Sequence, residues 1–315
     1  MKIKSADEIQ RITCIGGGPI GGGWTAHFLA RGYDVVAYLH DPQEEASLRR
    51  LLDTAWQSLT ELGLAEGASL DRLTVSIDLA ESVESTDFIQ ESAPENIALK
   101  QALYAQLGTL VPGDVIIASS TSGLSMTDIQ RDCATPQRTV VAHPFNPPYL
   151  MPLVEIVGGE KTDPQIPQLA SDFYSQAGKS PLVMQKEVPG FIATRLQEAI
   201  WREALHMVAN GEATVEQIDQ AVVNGPGPRW ALMGPCEVFH VGGGEGGMAY
   251  CLDQFGPALK LPWTRLEAPE LTPELRNAMV DGCERQADGA DFATLSHKMN
   301  DGLVAIAKAL QAQKS

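Results

Sequence analysis

The chain has 315 residues, of which 44% are hydrophobic and 20% are charged. This composition is typical of a globular protein and excludes the disordered and fibrous classes. Forty acidic residues outnumber 23 basic ones and give a formal charge of −17, a field that repels nucleic acid. No apolar run reaches the ~18 residues of a membrane helix, and the length suggests two domains at about 100–200 residues each.

The cysteines are few and widely spaced: Cys14, Cys133, Cys236, Cys251 and Cys283. They form neither a CxxC pair nor a His-linked metal spacing, so we expect no metal site. Residues 1–10 are polar and lack the apolar core of a secretory signal. We therefore expect reduced thiols in a cytoplasmic protein whose partner is a small molecule rather than a nucleic acid or a membrane.

The first half of the chain alternates short β-branched runs with amphipathic stretches. Strands are predicted at 11–15, 34–38, 73–77, 87–90, 115–119, 139–143, 153–157 and 182–185. Helices are predicted at 21–31 and 43–63, and between most of the later strands. This alternation predicts an α/β fold, in which residues 1–188 form a doubly wound, mainly parallel Rossmann-type sheet with helices on both faces.

The pattern changes at Val188-Pro-Gly190. Beyond this point, helical spacing predicts helices at 191–210, 215–223, 274–287 and 291–313. Gly- and Pro-rich stretches at 224–228 and 242–247 are predicted turns. We therefore expect an all-helical second domain over residues 189–315.

The sharpest local motif runs from Gly16 to Gly21, following a predicted strand and opening a predicted helix. Its glycines permit a tight turn and a close approach of the backbone to a pyrophosphate. The helix N-terminus then offers free N–H groups and a positive dipole end. A dinucleotide is therefore expected at Gly16, Gly18, Pro19, Ile20 and Gly21.

An acidic residue that binds the adenosine ribose is expected about 20 residues further on, at the end of the second strand. Asp41 lies at about that distance, but the alternation places Leu39 at the strand tip. His40 could instead lie near a 2′-phosphate. If Leu39 takes the acidic position, selectivity for NAD over NADP should be weak.

Several longer strings fall mostly at or beside predicted strand ends: Gln90-Glu-Ser-Ala-Pro-Glu95, Ser119-Ser-Thr-Ser-Gly123, Ala142-His-Pro-Phe-Asn-Pro147, Leu153-Val-Glu-Ile-Val157 and Pro189-Gly-Phe-Ile-Ala-Thr-Arg195. Together they resemble the L-3-hydroxyacyl-CoA dehydrogenase superfamily over nearly the whole chain. Gln254-Phe-Gly-Pro-Ala-Leu259 and Leu261-Pro-Trp-Thr264 are most similar to its carnitine dehydrogenase branch. The resemblance implies an NAD-dependent dehydrogenase that forms a homodimer.

The resemblance also implies roles for individual residues. His143 would be the catalytic base, Glu155 would orient its ring, and Ser122 would hold the substrate oxygen. These types suit alcohol oxidation, because a neutral imidazole can accept the hydroxyl proton while nicotinamide takes the hydride. Thr194 stands where the superfamily often has asparagine, so a direct catalytic role is doubtful there. Further cofactor contacts would come from Ala93, Glu95 and Lys100.

L-Carnitine, the substrate that this branch implies, has a 3-hydroxyl between a carboxylate and a quaternary ammonium. The ammonium cannot donate hydrogen bonds, so aromatic faces suit it; Phe145 and Trp230 are candidates. Arg195 and Arg229 are candidates for the carboxylate.

Two alternatives stay open at this point. L-Gulonate or a short 3-hydroxyacyl-CoA could be the substrate, although residues 43–63 carry few basic side chains for CoA phosphates. A non-catalytic NAD-binding protein is the alternative from a different class.

Overall fold

The computed structural model describes residues 3–264 and 272–291 and the single positions 294, 295, 298 and 309. The chain divides into two compact units, Met1–Leu196 and Gln197–Ser315. The boundary expected at residue 188 lies shortly before this division. The helix expected at 291–313 lies almost entirely outside the described residues.

The first unit is built on one sheet of eight strands. They are β1 (Arg11–Ile15), β2 (Asp34–Tyr38), β3 (Leu73–Ser76), β4 (Phe88–Glu91), β5 (Ile116–Ser119), β6 (Thr139–Pro144), β7 (Leu153–Val157) and β8 (Ser180–Val183). Their spatial order is β3-β2-β1-β4-β5-β6-β7-β8. The direction of winding reverses between β1 and β4, and such a switch point is where doubly wound sheets bind ligands.

Neighbouring strands in the sheet are parallel except for β6 and β7, which are antiparallel. The predicted mainly parallel sheet is therefore confirmed, and all eight predicted strands are present. The last one is displaced from its predicted range, 182–185. It begins at Ser180, which pairs with Leu153 of β7, so the register with the neighbouring strand sets its position.

Helices connect the strands and cover the sheet. They are α1 (Pro19–Ala30), α2 (Glu44–Leu62), α3 (Leu79–Val83), α4 (Ile97–Leu110), α5 (Met126–Ile129) and α6 (Ile166–Gln176). One apolar core contains Trp24, Phe28 and Phe173, and a second contains Tyr104 and Ile129. The central strands β4 and β5 are buried at every residue, so they hold the loops at their ends in fixed positions.

Further helices follow the sheet. They are α7 (Ala193–Ala209), α8 (Val215–Asn224), α9 (Pro226–Trp230), α10 (Pro235–Gly242), α11 (Gly247–Phe255) and α12 (Pro273–Ala287). The turn predicted at 224–228 is wrong in its second half, because Pro226 opens α9. A proline at the first helical position costs no hydrogen bond, since its N–H would have no partner within the helix. Within the described ranges, no helix is long and apolar enough to cross a membrane.

Candidate active site

The connection from β1 into the first turn of α1, residues 16–21, needs glycine at both ends. Gly16 has a φ of 104°, and its N–H donates to the carbonyl of Tyr38 at 2.9 Å. A Cβ at Gly16 would lie 2.7 Å from Ser92 O, and a Cβ at Gly21 would lie 2.0 Å from Gly16 O. Neither gap admits a methyl group, so the loop folds back tightly on itself and against the loop after β4.

The middle of the same loop is open. A Cβ at Gly18 would meet nothing within 4 Å. Gly18 is also the N-cap of α1, with Pro19 at the first helical position and no side chain bonded to the cap. Gly18 has no side chain to cap the first N–H groups of the helix, and the space beside it is open, so this cradle fits the pyrophosphate of a dinucleotide.

A buried ion pair shapes the loop after β4. Lys100, on α4, lies 2.6 Å from Glu91 Oε1 and donates to Ala93 O at 3.1 Å. Glu91 also accepts hydrogen bonds from Ala93 N and Ser119 Oγ, each at 2.6 Å. Both charged side chains are almost fully buried. Lys100 thus holds Ala93 in place through Glu91, and its direct contact with a cofactor stays a prediction.

Glu95 and Ser122 are brought together at the ends of β4 and β5. Glu95 Oε1 accepts hydrogen bonds from Ser122 N at 3.0 Å and Ser122 Oγ at 3.3 Å. It also accepts from Thr121 Oγ1 at 2.6 Å and Gly123 N at 3.3 Å. The Ser122 hydroxyl, which is expected to hold the substrate oxygen, therefore donates to the Glu95 carboxylate in this structure. The sequence did not indicate this contact.

His143 and Glu155 are directly opposite one another on β6 and β7. His143 Nδ1 lies 2.9 Å from Glu155 Oε2, and both side chains are buried. The antiparallel pairing is what creates this contact, because it places residues that are distant in sequence side by side. A carboxylate on one ring nitrogen fixes the tautomer and leaves the other nitrogen to exchange protons.

Glu155 also anchors the start of α7. Its second oxygen accepts the backbone N–H groups of Ile192 at 2.9 Å and Ala193 at 2.8 Å. Burial alone would raise the pKa of Glu155. The hydrogen bonds from His143 and from the two N–H groups outweigh burial and hold that pKa below its usual value. Glu155 is therefore ionised and can stabilise a positive charge on His143.

Two aromatic rings flank His143. The ring centroid of Phe145 lies 5.3 Å away and that of Phe191 lies 5.5 Å away. Phe145 is half-buried, whereas Phe191 is 2% exposed. No motif in the sequence indicated a role for Phe191. Its φ of 48° is rare for a bulky residue, and no sequence pattern showed that the turn before α7 would direct this ring to His143.

The segment after Phe145 is held by a buried lysine. Lys179 Nζ donates to the carbonyl oxygens of Pro148 and Met151, the latter at 3.0 Å, and lies 4.9 Å from the ring centroid of Trp24. Burial, together with the positive charge of Arg31, lowers the pKa of Lys179 to about 7. No sequence pattern indicated that Lys179 would be buried here.

The remaining predicted substrate residues lie elsewhere on the chain. Arg195 is exposed in the first turn of α7, and its N–H donates to Gly190 O at 2.9 Å. Arg229 and Trp230 lie on α9, in the second unit. The roles of these three residues stay predictions.

Comparison with known proteins identifies relatives of the whole chain. A sequence from Streptomyces coelicolor named L-carnitine dehydrogenase is 58% identical over 305 residues, which are 97% of this chain and 96% of the relative. A Pseudomonas putida protein with the same name is 47% identical over 98% of this chain and 96% of its own length. Among solved structures, 5-formyl-3-hydroxy-2-methylpyridine 4-carboxylic acid 5-dehydrogenase, an NAD⁺-dependent dismutase, is 29% identical. It superposes with a TM-score of 0.75 over 96% of this chain and 99% of its own.

Family-level similarity extends over both units. Residues 11–188 match the NAD binding domain of 3-hydroxyacyl-CoA dehydrogenase, and residues 190–280 match the C-terminal domain of the same enzyme. The first match covers the loop at Gly16–Gly21 and the pair of His143 and Glu155. The predicted superfamily, its fold and NAD as cofactor are therefore confirmed. The chain belongs to the 3-hydroxyacyl-CoA dehydrogenase family of NAD-dependent oxidoreductases.

Proposed function

We propose that this protein oxidises the 3-hydroxyl of L-carnitine to a ketone, forming 3-dehydrocarnitine with NAD as the acceptor. The observation that carries the proposal is the buried pair of His143 and Glu155, with a half-buried aromatic ring beside it. The relatives named L-carnitine dehydrogenase, at 46–58% identity, support the choice of substrate.

His143 is the proposed general base. Because Glu155 holds Nδ1, the ring presents Nε2 to the substrate hydroxyl and takes its proton. The bound NAD supplies the acceptor for the hydride that leaves the same carbon. The C–H and O–H bonds break, the C=O bond forms, and Glu155 stabilises the imidazolium.

Ser122 is the proposed holder of the substrate oxygen. Its hydroxyl now donates to Glu95 Oε1 at 3.3 Å, a long hydrogen bond. Rotation about one side-chain bond would redirect it to a substrate while the Ser122 N–H, at 3.0 Å, keeps the loop on Glu95. Glu95 thus fixes the loop and leaves the hydroxyl available.

The two ends of carnitine need different surroundings. The Phe145 ring, 5.3 Å from the His143 ring, offers an aromatic face to the trimethylammonium group. Trp230, which is 39% exposed, is the other aromatic residue that we propose for this group. Arg195 and Arg229 are the proposed partners of the carboxylate, since a guanidinium can hold both of its oxygens.

The acyl-CoA alternative receives little support from α2. Arg49 of this helix lies 2.7 Å from Glu45, and Glu44, Glu45, Asp53 and Glu61 outnumber its two arginines. The CoA phosphates would meet net negative charge there. L-Gulonate carries no such phosphates, so only an assay separates it from carnitine.

We further propose a cytoplasmic homodimer. Cys14, Cys133 and Cys251 are buried and carry free thiols, which supports a reducing compartment. Helix α7 exposes apolar side chains that a second copy of the chain would cover.

The first experiment is to measure NADH formation with L-carnitine, D-carnitine, L-gulonate and 3-hydroxybutyryl-CoA offered separately. Turnover confined to L-carnitine would support the proposal. Turnover of L-gulonate or of the CoA ester alone would show that carnitine is not the substrate. His143 and Glu155 would then keep their proposed roles. NADH binding without turnover of any alcohol would favour the non-catalytic alternative.

A further inference from the structure

The end of β2 lacks the acidic side chain that normally binds the adenosine ribose. Leu39 directly follows the strand, and its N–H donates to Ser76 O at 2.9 Å. Its side chain is fully buried, and its Cδ2 would lie 2.6 Å from a Cβ at Gly17. The position next to the dinucleotide loop is therefore filled by a hydrocarbon that cannot bond a ribose hydroxyl.

The two polar residues that follow Leu39 do not take the place of the missing acidic side chain. His40 and Asp41 are exposed. Asp41 Oδ1 accepts the N–H of Gln43 at 2.8 Å, and its carbonyl accepts the N–H of Glu44 at 3.0 Å. The Asp41 carboxylate thus stabilises the turn into α2.

Glu44, in the first turn of α2, also lies beside Gly17 of the dinucleotide loop. Its Oε2 would lie 3.6 Å from a Cβ at Gly17, and its own Cβ would lie 3.7 Å away. The carboxylate therefore reaches the dinucleotide loop beside Leu39. We propose that Glu44 binds the adenosine ribose hydroxyls and selects NAD over NADP, in place of an acidic residue at position 39.

The charges around Glu44 also favour NAD over NADP. A 2′-phosphate is normally held by an arginine or lysine. The chain has no lysine between Lys4 and Lys100. On α2, Arg49 pairs with Glu45, and Arg50 donates to Ser47 Oγ at 2.8 Å. NADP would therefore bring its phosphate to carboxylates, whereas the two hydroxyls of NAD would donate to them.

The inference concerns the cofactor and does not depend on carnitine being the substrate, so binding tests it separately. The experiment is to titrate NADH and NADPH into the full-length protein by calorimetry for wild type, Glu44→Gln and Glu45→Gln. Glu45→Gln is the matched control, because it removes the same charge from the next residue of α2 and breaks only the ion pair with Arg49. Both side chains are partly or fully solvent-accessible, so both variants should fold.

We expect Glu44→Gln to weaken NADH binding about tenfold or more and to leave NADPH binding unchanged or stronger. Glu45→Gln should keep the wild-type ratio of the two affinities. The double variant Leu39→Asp with Glu44→Gln should recover NADH affinity, because it restores a carboxylate at the strand end. The inference is overturned if Glu44→Gln keeps the wild-type ratio of NADH to NADPH affinity, or if Glu45→Gln changes it equally.

Discussion

At the scale of single residues, Glu155 connects several parts of the candidate site. One of its oxygens bonds His143, and the other accepts the first N–H groups of α7. A buried carboxylate with these donors stays ionised, because each donor offsets part of the cost of burial. Glu155 is thus both an electrostatic partner of the base and a structural anchor.

The first prediction separates these two roles. Glu155→Gln keeps an oxygen for the Ile192 and Ala193 N–H groups but removes the charge that stabilises the His143 imidazolium. We expect kcat to fall about 100-fold or more, with an NADH dissociation constant within about twofold of wild type. Steady-state kinetics and NADH titration test this. A kcat near that of wild type would exclude the proposed electrostatic role.

The second prediction concerns Lys179, whose pKa is about 7 against its usual 10.5. Between these values the unfolded chain binds more protons than the folded one, so stability rises with pH. The slope is at most about 1.4 kcal/mol per pH unit. Urea unfolding from about pH 7 to 8.5 measures it. Lys179→Met should lower the slope, while the exposed Lys186→Met should not; equal slopes in both variants would contradict the assignment.

At the scale of elements, strands were easier to predict than the direction in which they pair. All eight strands follow from short runs rich in apolar and β-branched residues, which suit a sheet with helices on both faces. The edge strands β3 and β8 are partly exposed. The antiparallel pairing of β6 with β7 did not follow, since direction depends on contacts distant in sequence. That pairing brings His143 to Glu155, so the sequence suggested the two residues by resemblance, and only the fold gave their geometry.

The third prediction compares Gly18, which precedes α1, with Gly21 in the first turn of that helix. Gly21→Ala would place a methyl group 2.0 Å from Gly16 O, so we expect a lower Tm and loss of NADH binding. Gly18→Ala meets no protein atom within 4 Å, so its Tm should match wild type. Its methyl group would project into the proposed pyrophosphate site and weaken NADH binding. Thermal unfolding and NADH titration distinguish the two; a normal Tm and affinity for Gly21→Ala would refute the loop geometry.

At the scale of the whole molecule, helix α7 does not behave like a surface helix. Its exposed apolar side chains are Leu196, Ile200, Trp201, Leu205 and Val208. In the part of the chain that the structure describes, this helix buries none of its residues. Its amphipathic spacing predicted the helix, but spacing cannot tell whether the apolar face is covered by the same chain or by another. An exposed face of this kind marks an interaction surface.

The fourth prediction tests whether a second copy covers this face. Trp201 and Leu205 are 56% and 50% exposed and are one helical turn apart. The double variant Trp201→Glu with Leu205→Glu would bury two charges in the proposed interface, so we expect it to be a monomer where wild type is a dimer. Light scattering after size-exclusion chromatography gives the mass of each. Glu203→Gln, two residues from each of them and therefore on the other side of α7, should stay dimeric. A wild-type monomer, or a dimer that persists in the double variant, would show that another surface or another partner is involved, because two buried carboxylates would destabilise an association through this face.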